Sequence, residues 1–190
     1  MKKDILITIS AIFVMAFCMS PSFALSSLAE AFIRDVSQPD AVIPPPNWSR
    51  EDLRSAALEV LDTIENGAYE KTALDYSLKT LGFLQYAEDL PRILAYEEKM
   101  PYTVLRSIAG FPHPDAINCL IGHLDDEKSP RRKLAVKGLA AMDFTKLDKP
   151  EIWKNKVKDA IQKALSKEKV DWLKKDIKIA LAKVEKAKTK

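Results

Sequence analysis

Along most of this chain apolar residues return every three to four positions, the spacing of helices that bury one face. After Ser49, residues Leu53, Ala57, Leu58, Leu61 and Ile64 share one side of a helical wheel, and Asn66-Gly67 supplies a stop. The same periodicity, interrupted by short junctions, predicts further helices over residues 69–85, 87–99, 101–111, 114–125, 129–142, 151–166 and 169–187. Pro101, Pro130 and Pro150 stand at or beside helix starts, where a missing N–H costs little. Ser27 with Glu30, and Ser49 with Asp52, have the spacing of capping boxes, so a short helix is also predicted from Ser27 to Val36. Between these two starts lies SQPDAVIPPPNW. Three consecutive prolines cannot continue a helix and favour an extended strap, with Ile43 and Trp48 available to pin it. Junctions this short make neighbouring helices pack antiparallel.

Every second helix carries one pattern. SLKTLGFL (77–84), VLRSIAGF (104–111), AVKGLAAM (135–142) and IKIALAKV (177–184) align without gaps. The first, fifth and eighth places are small or apolar. The fourth is always small (Thr80, Ser107, Gly138, Ala180) and the fifth always a large aliphatic (Leu81, Ile108, Leu139, Leu181). A small residue admits a neighbouring helix closely, and the aliphatic fills the seam between layers, as stacked helix pairs require. The expected fold is all-α: a right-handed α-α superhelix, a short solenoid of about four antiparallel helix pairs.

The unit from Asp115 to Met142 resembles a HEAT or HEAT-like repeat of the armadillo type. In that family a first helix ends in Leu-x-Asp, a tight turn follows, and the second helix carries Arg-x-x-Ala-x-x-Ala-Leu. Leu124, Asp126, Arg132, Ala135 and Leu139 match, with Gly138 in place of the second Ala. The resemblance extends in outline over residues 49–187, although the other units lack the Asp and Arg at these places. It implies that Asp126 and Arg132 fasten a repeat corner. It also implies that the second helices line a concave binding surface. The charged run HLDDEKSPRRK is therefore expected to be scaffold, and acids ahead of a helix start favour its positive end.

Composition refines this picture. Five glycines and few β-branched runs disfavour a sandwich or barrel, while abundant Ala, Leu, Lys and Glu favour helix. Residues 1–24 read as a secretory signal peptide: Lys2 and Lys3, an uncharged apolar run from Ile5 to Phe17, then Ser22-Phe23-Ala24. Residues 25–48 form the short helix and Pro-rich linker, and residues 49–190 the repeat domain. The expected location is periplasmic or secreted, after cleavage near Ala24. Cleavage removes Cys18 and leaves Cys119 without an internal disulfide partner, where it is expected to act as a small hydrophobe on an inner helix face. Residues 154–190 hold 13 Lys against 5 acids, whereas residues 25–153 hold 15 bases against 21 acids. An acidic body with a basic end suggests an electrostatic partner.

Catalytic signatures do not emerge. His113 lies in Pro-His-Pro and His123 at a helix end, neither with a second ligand at metal spacing, and no phosphate-cradling glycine loop or metalloprotease motif occurs. No enzyme activity, cofactor, metal or nucleic acid is expected. Trp153 and Trp172 are expected in core or seam positions. Tyr69, Tyr76, Tyr86, Tyr96 and Tyr102 would suit a peptide groove if they shared a surface.

The leading expectation is an exported scaffold that binds a protein partner with an acidic surface. Its candidate contacts are Lys79, Arg106 and Lys137, basic in the third place of three consecutive units. One alternative is an accessory subunit or chaperone of an envelope enzyme. Another is an anionic polymer or membrane surface held by Lys174, Lys175 and Lys178, with Lys154, Lys156, Lys158 and Lys163 nearby.

Overall fold

A computed structural model describes residues 25–36, 47–65 and 71–189. These residues form helices α1 (Ser27–Val36), α2 (Arg50–Glu65), α3 (Lys71–Leu84), α4 (Leu90–Leu94), α5 (Pro101–Ser107), α6 (Pro114–Gly122), α7 (Ser129–Ala140), α8 (Pro150–Lys167) and α9 (Asp171–Lys186). No strand occurs among the described residues. The signal segment, Ile43 and most of the Pro-rich strap, Asn66-Gly67 and Tyr69 lie outside them.

α3 packs on α5, α5 on α7 and α7 on α9. The other helices form their backing: α2 lies on α3, α4 on α5, α6 on α7 and α8 on α9, with α1 against α2 at the N-terminal end. The repeated eight-residue register explains this order. Its first, fourth and eighth places are buried in all four copies, from Ser77, Thr80 and Leu84 to Ile177, Ala180 and Val184. Leu81, Ile108 and Leu139 in the fifth place have no exposed surface, and only Leu181 on the last described helix is half-buried. One continuous apolar core therefore threads the layers.

Small residues set the closest approaches. A Cβ added at Gly82 would lie 2.1 Å from the Ser107 carbonyl oxygen, so α3 meets α5 with no room for a side chain there. Further along, Gly110 (φ 72°) donates its amide to the Gly138 carbonyl of α7 at 3.1 Å. The left-handed conformation that ends the α5 segment thus also ties it to the next layer.

Two elements depart from the expected boundaries. The predicted helix over 87–99 is a 3-10 turn (Ala87–Asp89), the five-residue α4, and then turns to Lys99. Pro91 lacks an amide at its start, and Met100 precedes Pro101 and leaves the helical region at φ −136°, ψ 54°. The helix expected over 101–111 stops at Ser107, as Gly110 and Pro112 follow. At α1 the cap moves by one residue: Ser26 Oγ, not Ser27, accepts from the Ala29 amide at 3.2 Å, and the Ser26 hydroxyl donates to Glu59 of α2 at 2.6 Å. The cap at α2 is the expected one, with Ser49 Oγ accepting from Asp52 N at 3.0 Å. Trp48 anchors the chain entering α2: its ring meets Phe32 edge-on at 6.1 Å and its indole N–H donates to Asp35 at 3.0 Å.

Candidate partner-binding face

Burying places one, four, five and eight turns places three and seven outward. On α3 these are Lys79 and Phe83, on α7 and at its C-cap Lys137 and Ala141, and on α9 Ile179 and Lys183; Arg106 holds the third place on α5. Because α3, α5, α7 and α9 pack in series in the same register, these positions open on one side. Phe83 is 54% exposed and Ile179 58% exposed. Tyr102, one turn before Arg106, and Trp172, two turns before Ile179, are exposed as well. Of the five exposed large apolar residues described, only Ile152 of α8 lies off these four helices. Trp172 is thus a surface ring under the Lys133 ammonium (5.0 Å), not the seam residue its spacing suggests, whereas Trp153 is half-buried against the core.

Two grooves run along this side. Lys79, Phe83, Arg106 and Ala109 line the first, of about 460 Å³, between α3 and α5. Lys137, Asp176, Ile179 and Lys183 line the second, of about 320 Å³, between α7 and α9. The three stripe bases therefore divide, Lys79 and Arg106 in one groove and Lys137 in the other. They also differ in freedom. Arg106 and Lys137 are exposed, but Lys79 is half-buried, ion-paired with Asp75 and set over the Tyr76 ring at 5.2 Å. Asp75 also accepts from the Thr103 hydroxyl. The tyrosines do not gather: Tyr96 is buried, Tyr86 lies under Arg50 and Arg54, and Tyr102 lies under Arg131.

The C-terminal lysines are partly committed. Lys175 and Lys178 are exposed, while Lys174 reaches Asp171 at 3.4 Å. Lys154 donates to the Ala187 carbonyl at 2.7 Å and Lys156 to Asn118 at 2.8 Å.

On the edge of the molecule the charged run folds into a corner. Arg132 donates from Nε and Nη2 to the two Glu168 oxygens at 2.8 and 2.9 Å, and from Nη1 to the Asp126 and Glu127 carbonyls at 2.8 and 3.1 Å. Glu168 in turn accepts from the amides of Lys169 and Val170, both at 3.0 Å, ahead of α9. The Arg132 hydrogen bond, assisted by these amides, holds the Glu168 carboxyl below its usual range despite burial, and Arg132 is raised by the same bond. Burial alone would raise Asp126, but hydrogen bonds from Lys128 N, His123 and Arg131 outweigh it and lower the carboxyl. A second lock joins α2 to the turn before α4, where Arg54 grips buried Asp89 with bonds of 2.7 and 2.8 Å. Hydrogen bonding to Asp89 raises the Arg54 guanidinium further. Neither Arg54–Asp89 nor the Glu168 partner is visible in sequence, because 35 and 36 residues separate the groups.

Cys119 lies half-buried on α6, beside Glu97 and His123. Burial first, then the Glu97 charge and hydrogen bond, push its thiol up to about 12, so it is no thiolate nucleophile by itself. The expectation that neither histidine has metal-ligating neighbours is corrected here: Glu97 reaches His123 from 26 residues away, across a turn that spacing does not reveal.

No helix among the described residues is long and apolar enough to cross a membrane. No protein-family model matches the chain, and neither do the curated proteins or the solved structures.

Proposed function

We propose that this protein is an exported HEAT-like scaffold, a right-handed superhelix of about four helix pairs, that holds an acidic protein partner on the side formed by its second helices. The observation that carries this reading is that four of the five exposed large apolar side chains described stand on α3, α5, α7 and α9, alongside exposed bases. Phe83, Tyr102, Trp172 and Ile179 stand exposed, interleaved with Arg106, Lys137 and Lys183. Apolar side chains left in water favour a partner that covers them, and the surrounding bases select one with carboxylates. Aromatic side chains and Arg are enriched at protein interfaces, whose rims are polar. The polar locks at Arg54–Asp89 and Arg132–Glu168 support a stacked-repeat reading, since each bridges one helix pair to the next.

The test is site-specific photo-crosslinking in the producing cell. A photoreactive residue at Phe83, Tyr102 or Ile179 is expected to give the same adduct with an acidic envelope protein. The same probe at Gln162, exposed on α8, should give none. An adduct formed at Gln162 and absent from the three face positions would overturn the proposal.

A further inference from the structure

Glu97, Cys119 and His123 bring one carboxylate oxygen, one sulfur and one imidazole nitrogen within 4.8 Å of one another, each side chain partly buried. We propose that these three residues form a binding site for a zinc-class divalent metal ion, placed at the junction between the α4–α5 and α6–α7 helix pairs.

The donor set comes first. Thiolate, imidazole and carboxylate are the three ligand types that zinc accepts, and three protein ligands with a fourth position left to water is a recurrent arrangement. Bonds of 2.0 to 2.3 Å around a tetrahedral ion place neighbouring donors about 3.3 to 3.8 Å apart. His123 Nε2 and Glu97 Oε1 are 2.9 Å apart, and the widest separation in the trio needs to close by only about 1 Å. Glu97 can supply that movement, since its side chain is 42% exposed and sits on the turn after α4.

The backbone holds the other two ligands in register. Cys119 and His123 are four residues apart across the end of α6, so both project from one side of the same turn. His123 is held from behind as well. Its Nδ1 lies 3.2 Å from Asp126 Oδ2, and Asp126 is itself fixed by the Lys128 amide at 2.8 Å and by Arg131. With a metal on Nε2, the carboxylate on Nδ1 would hold the remaining ring proton, the outer support that metal-bound histidines normally have.

Present contacts also gather negative charge around the ring. The imidazole faces a carboxylate at each nitrogen, Asp126 on Nδ1 and Glu97 on Nε2. A neutral ring donates to one of these carboxylates, and a protonated ring to both. A divalent ion facing Nε2, Glu97 and the sulfur takes the place of the proton between Nε2 and Glu97, and that proton and the thiol proton leave to solvent as the ligands coordinate. The site lies on the edge of the repeats rather than on the proposed partner-binding side, so the two proposals stand or fall separately.

Cobalt(II) and zinc, each added alone, are the probes. The full chain carrying Cys18→Ser has Cys119 as its one thiol. Addition of cobalt is expected to give a sulfur-to-cobalt charge-transfer band in the near ultraviolet, saturating at one ion per chain and displaced by zinc. Cys119→Ser should abolish the band. His123→Gln should weaken cobalt binding by about 100-fold, and Asp126→Asn, which leaves the ligands in place, by about 10-fold. Glu97→Gln should retain the band at reduced affinity, and His113→Gln should change nothing. Circular dichroism of each variant checks that it folds. Absence of the band in the folded parent, or zinc uptake unaltered by His123→Gln, would overturn the site.

Discussion

Arg132→Ala removes both charge-assisted bonds to Glu168, whose side chain is only 4% exposed, together with two bonds to backbone carbonyls. Removing one partner of a buried ion pair typically costs about 3 to 5 kcal/mol. Here the loss is smaller, because Glu168 keeps the Lys169 and Val170 amides and water can reach the Asp126 and Glu127 carbonyls near the surface. An unfolding free energy lower by about 2 to 3 kcal/mol follows, below the buried-pair range because Glu168 stays hydrogen-bonded. For a chain of this size that is a fall in Tm of roughly 5 to 10 °C. The pH dependence adds an independent readout. Arg132 lowers the Glu168 carboxyl, so between its folded and unfolded pKa the unfolded chain binds more protons and stability rises with pH. The contribution is complete above the ordinary glutamate range and is lost as pH falls through the lowered value. The gap between wild type and Arg132→Ala in urea unfolding should therefore be widest at neutral pH and narrow in acid. A gap below about 0.5 kcal/mol at neutral pH, or one that does not narrow in acid, would refute the corner's structural role.

Other outcomes follow from the packing. Gly82→Ala should cost about 2 to 3 kcal/mol, since its Cβ meets Ser107 backbone, whereas Gly138→Ala should cost less because the nearest atoms belong to the movable Leu120 side chain; equal costs in urea titrations would contradict the close-approach argument. Phe111→Ala, at a side chain 1% exposed, should lower unfolding free energy by about 3 to 5 kcal/mol by calorimetry. Arg54→Ala strands buried Asp89 and should destabilise at least as much as Arg132→Ala, with the same chemical-unfolding assay deciding. The exported form should begin at Leu25, which N-terminal sequencing reads directly; a lipidated start at Cys18 would reject the leader assignment.

What the sequence revealed depended on the range of the interaction. The eight-residue register is a local pattern, and its small and aliphatic places fall where helices meet because residue volume alone decides who can sit between two helices. Ser49 capped α2 for the same reason: its hydroxyl and its amide partner are three residues apart. α4 escaped, since apolar spacing through 87–99 competes with Pro91 and Pro101, and the backbone constraints of the prolines prevailed. The third-place bases were identifiable as outward positions, yet nothing in the spacing told that Lys79 is engaged by Asp75 while Arg106 is exposed. Trp172 shows the limit of periodicity: its apolar neighbours place it beside a buried face but do not say that the ring itself stays exposed. Arg54–Asp89, Arg132–Glu168 and the Glu97–Cys119–His123 cluster all depend on how one helix pair sits on the next, which a single chain's local pattern does not encode.

The most direct measurement of the proposed scaffold role is partner capture by a face variant that still folds. Lys79→Glu, Arg106→Glu and Lys137→Glu are combined with Phe83→Ser and Ile179→Ser, and circular dichroism verifies the fold. A control combines Lys174→Glu, Lys175→Glu and Lys178→Glu. Photo-crosslinked partner is quantified at one fixed salt concentration, with the probe at Tyr102 in every variant. The face variant is expected to lose the adduct and the control to keep it. An undiminished adduct in the folded face variant, or its loss only in the control, would contradict binding through α3, α5, α7 and α9.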